Sequence, residues 1–231
     1  MSGIAPQGSA VSPVLANVFL HYALDLWLAR EFPGVPYERY VDDAVAHCVT
    51  RRQAEQVCVA IGRRLEEVGL RLHPAKTRVV YCKDSNRRGT HEYTAFTFLG
   101  YTFRPRRQRN TRTGRIFTSF DPAISEDALK AKSAEIRSWR IHQRTGSTLD
   151  DLAHMMNPIV RGWMNYWGRF NRREMNRLLR RINAYLMKWA QKKYKRLRGY
   201  KRARVWWKMV VERDRGLFAH WAWERNAWMA G

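Results

Sequence analysis

The chain has 231 residues, enough to bury a substantial core and to hold one large or two small domains. With 43 Lys and Arg against 20 Asp and Glu its formal charge is +23, while 45% hydrophobic and 13% aromatic residues exclude a disordered basic tail. A folded protein of this charge has a polyanion as its natural partner, nucleic acid first. No apolar run nears the roughly 20 residues of a membrane span, and the N-terminus lacks the basic-then-apolar pattern of a signal peptide. Cys48, Cys58 and Cys82 share no C-x-x-C spacing, and their odd number argues against a disulfide framework, so a reducing, cytoplasmic setting is expected.

In chain order, residues 12–31 predict an amphipathic helix: Ser12 as N-cap, Pro13 at the first helical position, and Leu15, Phe19, Tyr22 and Leu26 at helical spacing. "FPGVP" breaks it. "YERYV" and "AVAHCV" then predict a β-hairpin with Asp42 and Asp43 between the strands. Residues 51–68 return to a helix with Val57, Ile61, Leu65 and Val68 on one face, ended by Gly69 and Pro74. "TRVVYC" (77–82) predicts a strand, as does "AFTFLGYTF" (95–103), with Gly100 at a bend or close contact. The Arg-rich 104–115 stretch reads as a loop or flexible hairpin and marks a domain boundary. Helices follow near 125–142, 148–168, 172–197 and 201–213, two of them opened by the capping-box-like pairs Ser147/Asp150 and Asn171/Glu174. The fold class is α+β.

Charge is uneven along this plan. Residues 1–100 hold 12 Lys and Arg against 10 Asp and Glu, whereas residues 101–231 hold 31 against 10. From 161 to 215 the count is 19 against 3, interleaved with aromatics, which is the composition of a nucleic-acid surface. Arg172, Arg173, Arg177, Arg180, Arg181, Lys188, Lys192, Lys193 and Lys195 are the candidate RNA contacts. Trp163, Trp167 and Trp189 fall at helical spacing with aliphatic residues and are expected in the core.

Asp42 and Asp43 admit two readings. Adjacent carboxylates in an apolar, partly buried setting repel one another and call for a compensating cation, for which Mg²⁺ is suited. An Asp pair at a hairpin is also ordinary turn chemistry facing solvent. The residues alone leave both open.

Four blocks in one order, "APQGSAVSPVLANVFL" (5–20), "YVDD" (40–43), "GLRLHPAKT" (69–77) and "FTFLGYTF" (96–103), resemble reverse transcriptases. "MMNPIVRGWMNYWGRF" (155–170) and "LFAHWAW" (217–223) resemble the maturase region of group II intron reverse transcriptases, and that family is the identification. The resemblance implies a partial reverse-transcriptase palm (residues 1–104, an antiparallel sheet with packed helices carrying the YVDD hairpin), a basic linker or loop (105–118), and an α-helical thumb/maturase domain (119–231). It implies RNA-directed DNA synthesis by two-metal nucleotidyl transfer, with intron RNA binding and splicing assistance. Asp42 and Asp43 match the Mg²⁺-binding acids and Tyr40 the tyrosine beside the primer end and incoming nucleotide. Pro6, Gln7 and Gly8 match the block that shapes the nucleotide pocket and template path, and Lys76 the lysine of the G-L-x-L block. The implied partners are intron RNA, an RNA template with DNA primer, and deoxynucleotides, with no membrane.

Ser9 and Val41 depart from the family's usual glycine and alanine. In the family a further metal-ligand aspartate and the fingers lie upstream of the P-Q-G block, and this sequence starts at Met1, close to Pro6. The expectation is therefore a chain that polymerises poorly alone, with a second chain supplying the fingers and the missing aspartate. The alternative is a non-catalytic RNA-binding maturase module or truncated remnant.

Overall fold

The computed structural model describes residues 11–223. The chain combines helices with small antiparallel sheets and divides into two compact units, Met1–Leu99 and Gly100–Gly231. Among the described residues no helix is long and apolar enough to cross a membrane.

The first unit opens with a helical run: α1 (Ser12–Leu20), a π turn (His21–Asp25) and α2 (Leu26–Glu31). Val11 already has helical dihedrals and is the N-cap, so Ser12, the expected cap, is the first helical residue instead. The extra residue of a π turn rotates the packed face. Ala23, Leu24 and Leu28 form the buried side, whereas Leu15, Phe19, Tyr22 and Leu26 are between 45% and 65% exposed. The apolar stripe read from the sequence is present, and it faces outward.

Next comes the expected hairpin, β1 (Tyr37–Tyr40) and β2 (Asp43–Ala46), antiparallel from Tyr37↔Ala46 to Tyr40↔Asp43. Helix α3 (Arg51–Glu67) starts where the Thr50 hydroxyl accepts from the Gln53 N–H at 3.1 Å. It closes as a Schellman motif: Leu70 N–H to Leu65 carbonyl at 2.8 Å, Gly69 N–H to Glu66 carbonyl at 3.0 Å, and Gly69 at φ +77°. Leu24, Leu28, Val35 and Val57 make the core of this unit, with Trp27, Phe32, Tyr37 and Ile61 packed around them. Arg64 Nε donates to the Ala23 carbonyl at 2.9 Å, tying α3 to the π turn.

The strand expected over residues 77–82 does not form. Tyr81 N–H reaches the Tyr93 carbonyl at 2.8 Å, but no ladder develops from that bond, and β-forming side chains without paired neighbours do not make a strand. Strand β3 (Phe96–Phe98) then leads to Leu99 and Gly100, both with positive φ.

In the second unit, residues 105–118, expected as a linker or loop, lie in an ordered hairpin: β4 (Tyr101–Arg109) and β5 (Ile116–Ile124), paired from Tyr101↔Ile124 to Arg109↔Ile116. Asn110 Oδ1 shapes its turn by accepting from the Arg112 and Thr113 N–H groups. The long ladder outweighs the local excess of arginine. Gly100 sits at a close approach, where an added Cβ would lie 3.4 Å from Trp167 Nε1, and that indole donates to the Gly100 carbonyl at 3.2 Å.

Four helices follow: α4 (Glu126–Ser138), α5 (Leu149–Trp167), α6 (Arg172–Lys193) and α7 (Tyr200–Arg213). The capping box of α5 is Thr148 with Asp151, one residue beyond the expected Ser147/Asp150 pair, and Asn171 makes no side-chain cap bond. The core contains Ile136, Ile141, Met156, Leu179, Trp189, Trp207, Phe218 and Trp221. Trp163, Trp167 and Trp189 are buried, as their spacing predicts.

One polar cluster lies inside this core. Asn183 Oδ1 accepts from Trp221 Nε1 at 3.1 Å and sits 2.7 Å from His220 Nε2. Burial depresses the pKa of His220 to about 3. The unfolded chain, with an ordinary histidine, therefore binds the extra proton between pH 6.5 and about 3. Stability should be fully present above that window and fall on acidification at up to about 1.4 kcal/mol per pH unit. Urea unfolding at pH 7 and pH 5 should show the parent losing ~2 kcal/mol more than His220→Gln, which keeps a donor toward Asn183 without titrating. Equal losses would refute the buried neutral imidazole.

Candidate active site and nucleic-acid interface

A two-residue connection, Val41–Asp42, closes the β1–β2 hairpin, with Tyr40 and Asp43 as its last cross-strand pair. Cross-strand partners share a face, so the Tyr40 ring and the Asp43 carboxylate project from the same side. That side is open: Tyr40 is 60% exposed, and Asp42 and Asp43 are both exposed. Of the two readings of the acid pair, the structure shows the solvent-facing turn and not the partly buried one, because only alternate residues of β1 face the core and β2 is largely exposed. Among the described residues neither acid takes part in an ion pair.

Val41 holds φ at +56°, a left-handed conformation costly for a β-branched residue, of order 1–3 kcal/mol. Arg39 is what opposes this cost. Its Nη1 donates to the Val41 carbonyl at 2.7 Å and to Asn17 Oδ1 at 2.9 Å. Its Nε and Nη2 fork onto Asp25 Oδ1 and Oδ2 at 2.7 and 2.6 Å. Tyr37 OH donates to the Asp25 carbonyl at 3.1 Å, joining the hairpin to the π turn a second time. The hydrogen bond from Arg39 holds the Asp25 carboxyl below the usual carboxylate range, and the same bond raises the guanidinium. Alternation along β1 explains the division of labour: Tyr37 and Arg39 face inward, Tyr40 outward. Nothing in the sequence separates this arginine from its neighbours, since its partners lie 14 and 22 positions away.

Lys76 is exposed in the turn after α3, and its side chain makes no hydrogen bond or ion pair among the described residues. The structure does not bring it into bonded contact with the YVDD turn. Pro6, Gln7 and Gly8 lie outside the described residues.

The basic candidates of the second unit are sorted by the geometry of α6. Met175, Leu178, Leu179, Ile182, Leu186 and Trp189 are buried on one side. Arg173, Arg177, Arg180, Arg181, Lys188 and Lys192 recur at helical spacing on the exposed side. Arg177 pairs with Glu126 at 2.6 Å, which orients it at the surface. Arg172 lies 4.6 Å over the Trp223 ring. Lys193 is engaged structurally: its Nζ donates to the Ser147 carbonyl at 2.5 Å and lies 5.2 Å from the Trp189 ring centre. Lys195 is exposed in the short 3₁₀ turn Lys195–Leu197. An outward cationic stripe over a buried apolar face can neutralise successive phosphates without disturbing the fold.

As a donor set, two adjacent carboxylates without cationic partners fit a divalent ion that completes its shell with water and substrate phosphates. Among the described residues no group of three or more His, Cys, Asp or Glu side chains that could hold a metal is found, so Asp42 and Asp43 supply two carboxylates and no more from within that set.

Residues 2–103 match the family model of reverse transcriptase (RNA-dependent DNA polymerase), and residues 129–208 match that of the group II intron, maturase-specific domain. Together the two matches leave only the β4–β5 hairpin region, the start of α4 and the C-terminal stretch uncovered. No curated protein matches the chain.

The Arg39 fork yields a stability prediction. Arg39→Ala and Asp25→Ala should each cost roughly 2–3 kcal/mol, because each leaves its enclosed partner unpaired. The double variant should cost clearly less than the sum, read by urea unfolding. Additive losses would show that the pair is not coupled.

Proposed function

We propose, for a chain that belongs to the group II intron reverse transcriptase/maturases, that its first unit performs RNA-directed DNA synthesis at the YVDD turn while its second unit holds intron RNA and assists splicing. In this reading residues 1–104 are a partial palm and residues 119–231 the thumb/maturase domain. The observation that carries the chemistry is two adjacent exposed carboxylates at one hairpin turn, on the same open side as Tyr40.

The reaction is attack of a primer 3′-hydroxyl on the α-phosphorus of an incoming deoxynucleotide, with pyrophosphate leaving. Asp42 and Asp43 would hold Mg²⁺, which when bound neutralises charge gathering between the hydroxyl and the triphosphate. Tyr40, on the open face with Asp43, sits where a primer end or nucleotide can pack against its ring. Arg39 fixes the turn so that the carboxylates need no reorganisation when substrate arrives. Pro6, Gln7, Gly8 and Lys76 would line the nucleotide and template path. The α6 stripe grips phosphates of template–primer or intron RNA by shape and charge.

A second reading, RNA binding without chemistry, is favoured by one observation: within the described residues the acid pair has no third metal-ligating side chain. A second chain supplying that carboxylate would reconcile the two.

Primer extension on an RNA template with Mg²⁺ and deoxynucleotides separates them. The parent should extend weakly on its own, and Asp42→Ala/Asp43→Ala, shown folded by circular dichroism, should lose that extension. Extension that survives in the variant removes these acids from the chemistry. No extension by the folded parent leaves the binding reading in place.

A further inference from the structure

Where the last turns of α6 meet the 3₁₀ turn Ile141–Gln143 and Arg198, the surface of the second unit carries an open, shallow pocket of about 380 Å³. His142, Lys188, Gln191, Lys192 and Arg198 line it. We propose that this pocket seats a phosphodiester of bound RNA and serves as an anchoring point on the domain. The proposal rests on the RNA-binding reading above and names where the backbone is held.

Three features support it. Lys188, Gln191 and Lys192 stand at i, i+3 and i+4, so successive turns of α6 present them to one place. Two lysines and an arginine thereby line one place, with no acid among the lining residues. Cationic residues grouped without an acid repel one another, and an anion such as a phosphate relieves that repulsion.

The walls are also fixed from behind. Ile141 and Leu197, next to His142 and Arg198 in the chain, are buried, as is Trp189, next to Lys188. Gln191 Nε2 reaches the Arg198 carbonyl at 3.4 Å, bridging two walls. The charged groups therefore gather on a backbone that the core already holds in place.

Other polar side chains accompany the cations. The His142 ring stacks on Tyr185 with centroids 5.7 Å apart, and Lys188 Nζ lies 5.8 Å from the same ring. His142 Nδ1 is buried without a hydrogen-bond partner, which leaves Nε2 as the ring nitrogen that can meet a ligand. With the Gln191 amide this gives polar groups suited to a phosphate oxygen or a ribose 2′-hydroxyl.

Fluorescence titration of the full chain with a structured intron RNA in 150 mM salt tests this. Lys192→Gln/Arg198→Gln is compared with Lys130→Gln/Arg137→Gln, which removes equal charge from α4. The pocket pair should weaken binding about 10-fold and flatten the slope of log K against log salt by about 1, while the α4 pair changes affinity less than 2-fold. Inorganic phosphate at 10 mM and constant ionic strength should compete with RNA for the parent and not for the pocket pair. Equal effects of the two pairs overturn the pocket and leave general RNA binding standing. Phosphate that shifts the His142 imidazole resonances while RNA affinity is untouched by the pocket variant assigns the site to a small phosphorylated molecule and overturns the RNA assignment. A parent that binds no RNA overturns both readings.

Discussion

The fork between Arg39 and Asp25 is the interaction on which the candidate active site depends. A two-residue connection with valine in the left-handed region does not hold itself. Arg39 gives it an external partner by spending one donor on the Val41 carbonyl and two on a carboxylate at the end of the π turn. The π turn places Asp25 at that position, and Arg64 anchors the same turn through the Ala23 carbonyl. The consequence is a pair of acids whose orientation is set by groups that never touch them.

The second unit follows a different economy, in which α6 is the organising element. Its inner side is closed by Leu178, Leu179, Ile182 and Trp189, so its outer side is free to carry cations that a less secure helix would find destabilising by mutual repulsion. Some of that charge is absorbed locally, by Glu126 on Arg177 and by the Ser147 carbonyl on Lys193. What remains runs along the exposed face and gathers at the pocket around Lys188, Lys192 and Arg198.

Local patterns were legible where the chain decides its own conformation. The YVDD hairpin and the four helices of the second unit follow from β-forming runs and helical periodicity, and the stop of α3 from its glycine, while the expected caps were off by one residue at Ser12 and at Ser147/Asp150 and made no bond at Asn171. Legibility failed where a second segment decides. The spacing of Leu15, Phe19, Tyr22 and Leu26 identifies an apolar face but not whether anything covers it, and the π turn moved the packed side to Ala23, Leu24 and Leu28. The β-forming residues 77–82 needed a neighbouring strand. The clamp on Val41 and the pocket at the end of α6 both depend on contacts between segments distant in sequence. Likewise, composition could not tell Lys193, which braces a loop, from Lys192, which lines the pocket.

The central claim is that the clamped turn presents Asp42 and Asp43 for a divalent cation. Electron paramagnetic resonance titration with Mn²⁺ as the probe, in the presence of an RNA template–DNA primer duplex, tests it without requiring turnover. The account predicts a protein-dependent Mn²⁺ site that disappears in Asp42→Asn/Asp43→Asn and weakens several-fold in Arg39→Lys, whose point charge cannot reproduce the fork. Equal Mn²⁺ uptake by the parent and the double-asparagine variant would contradict it.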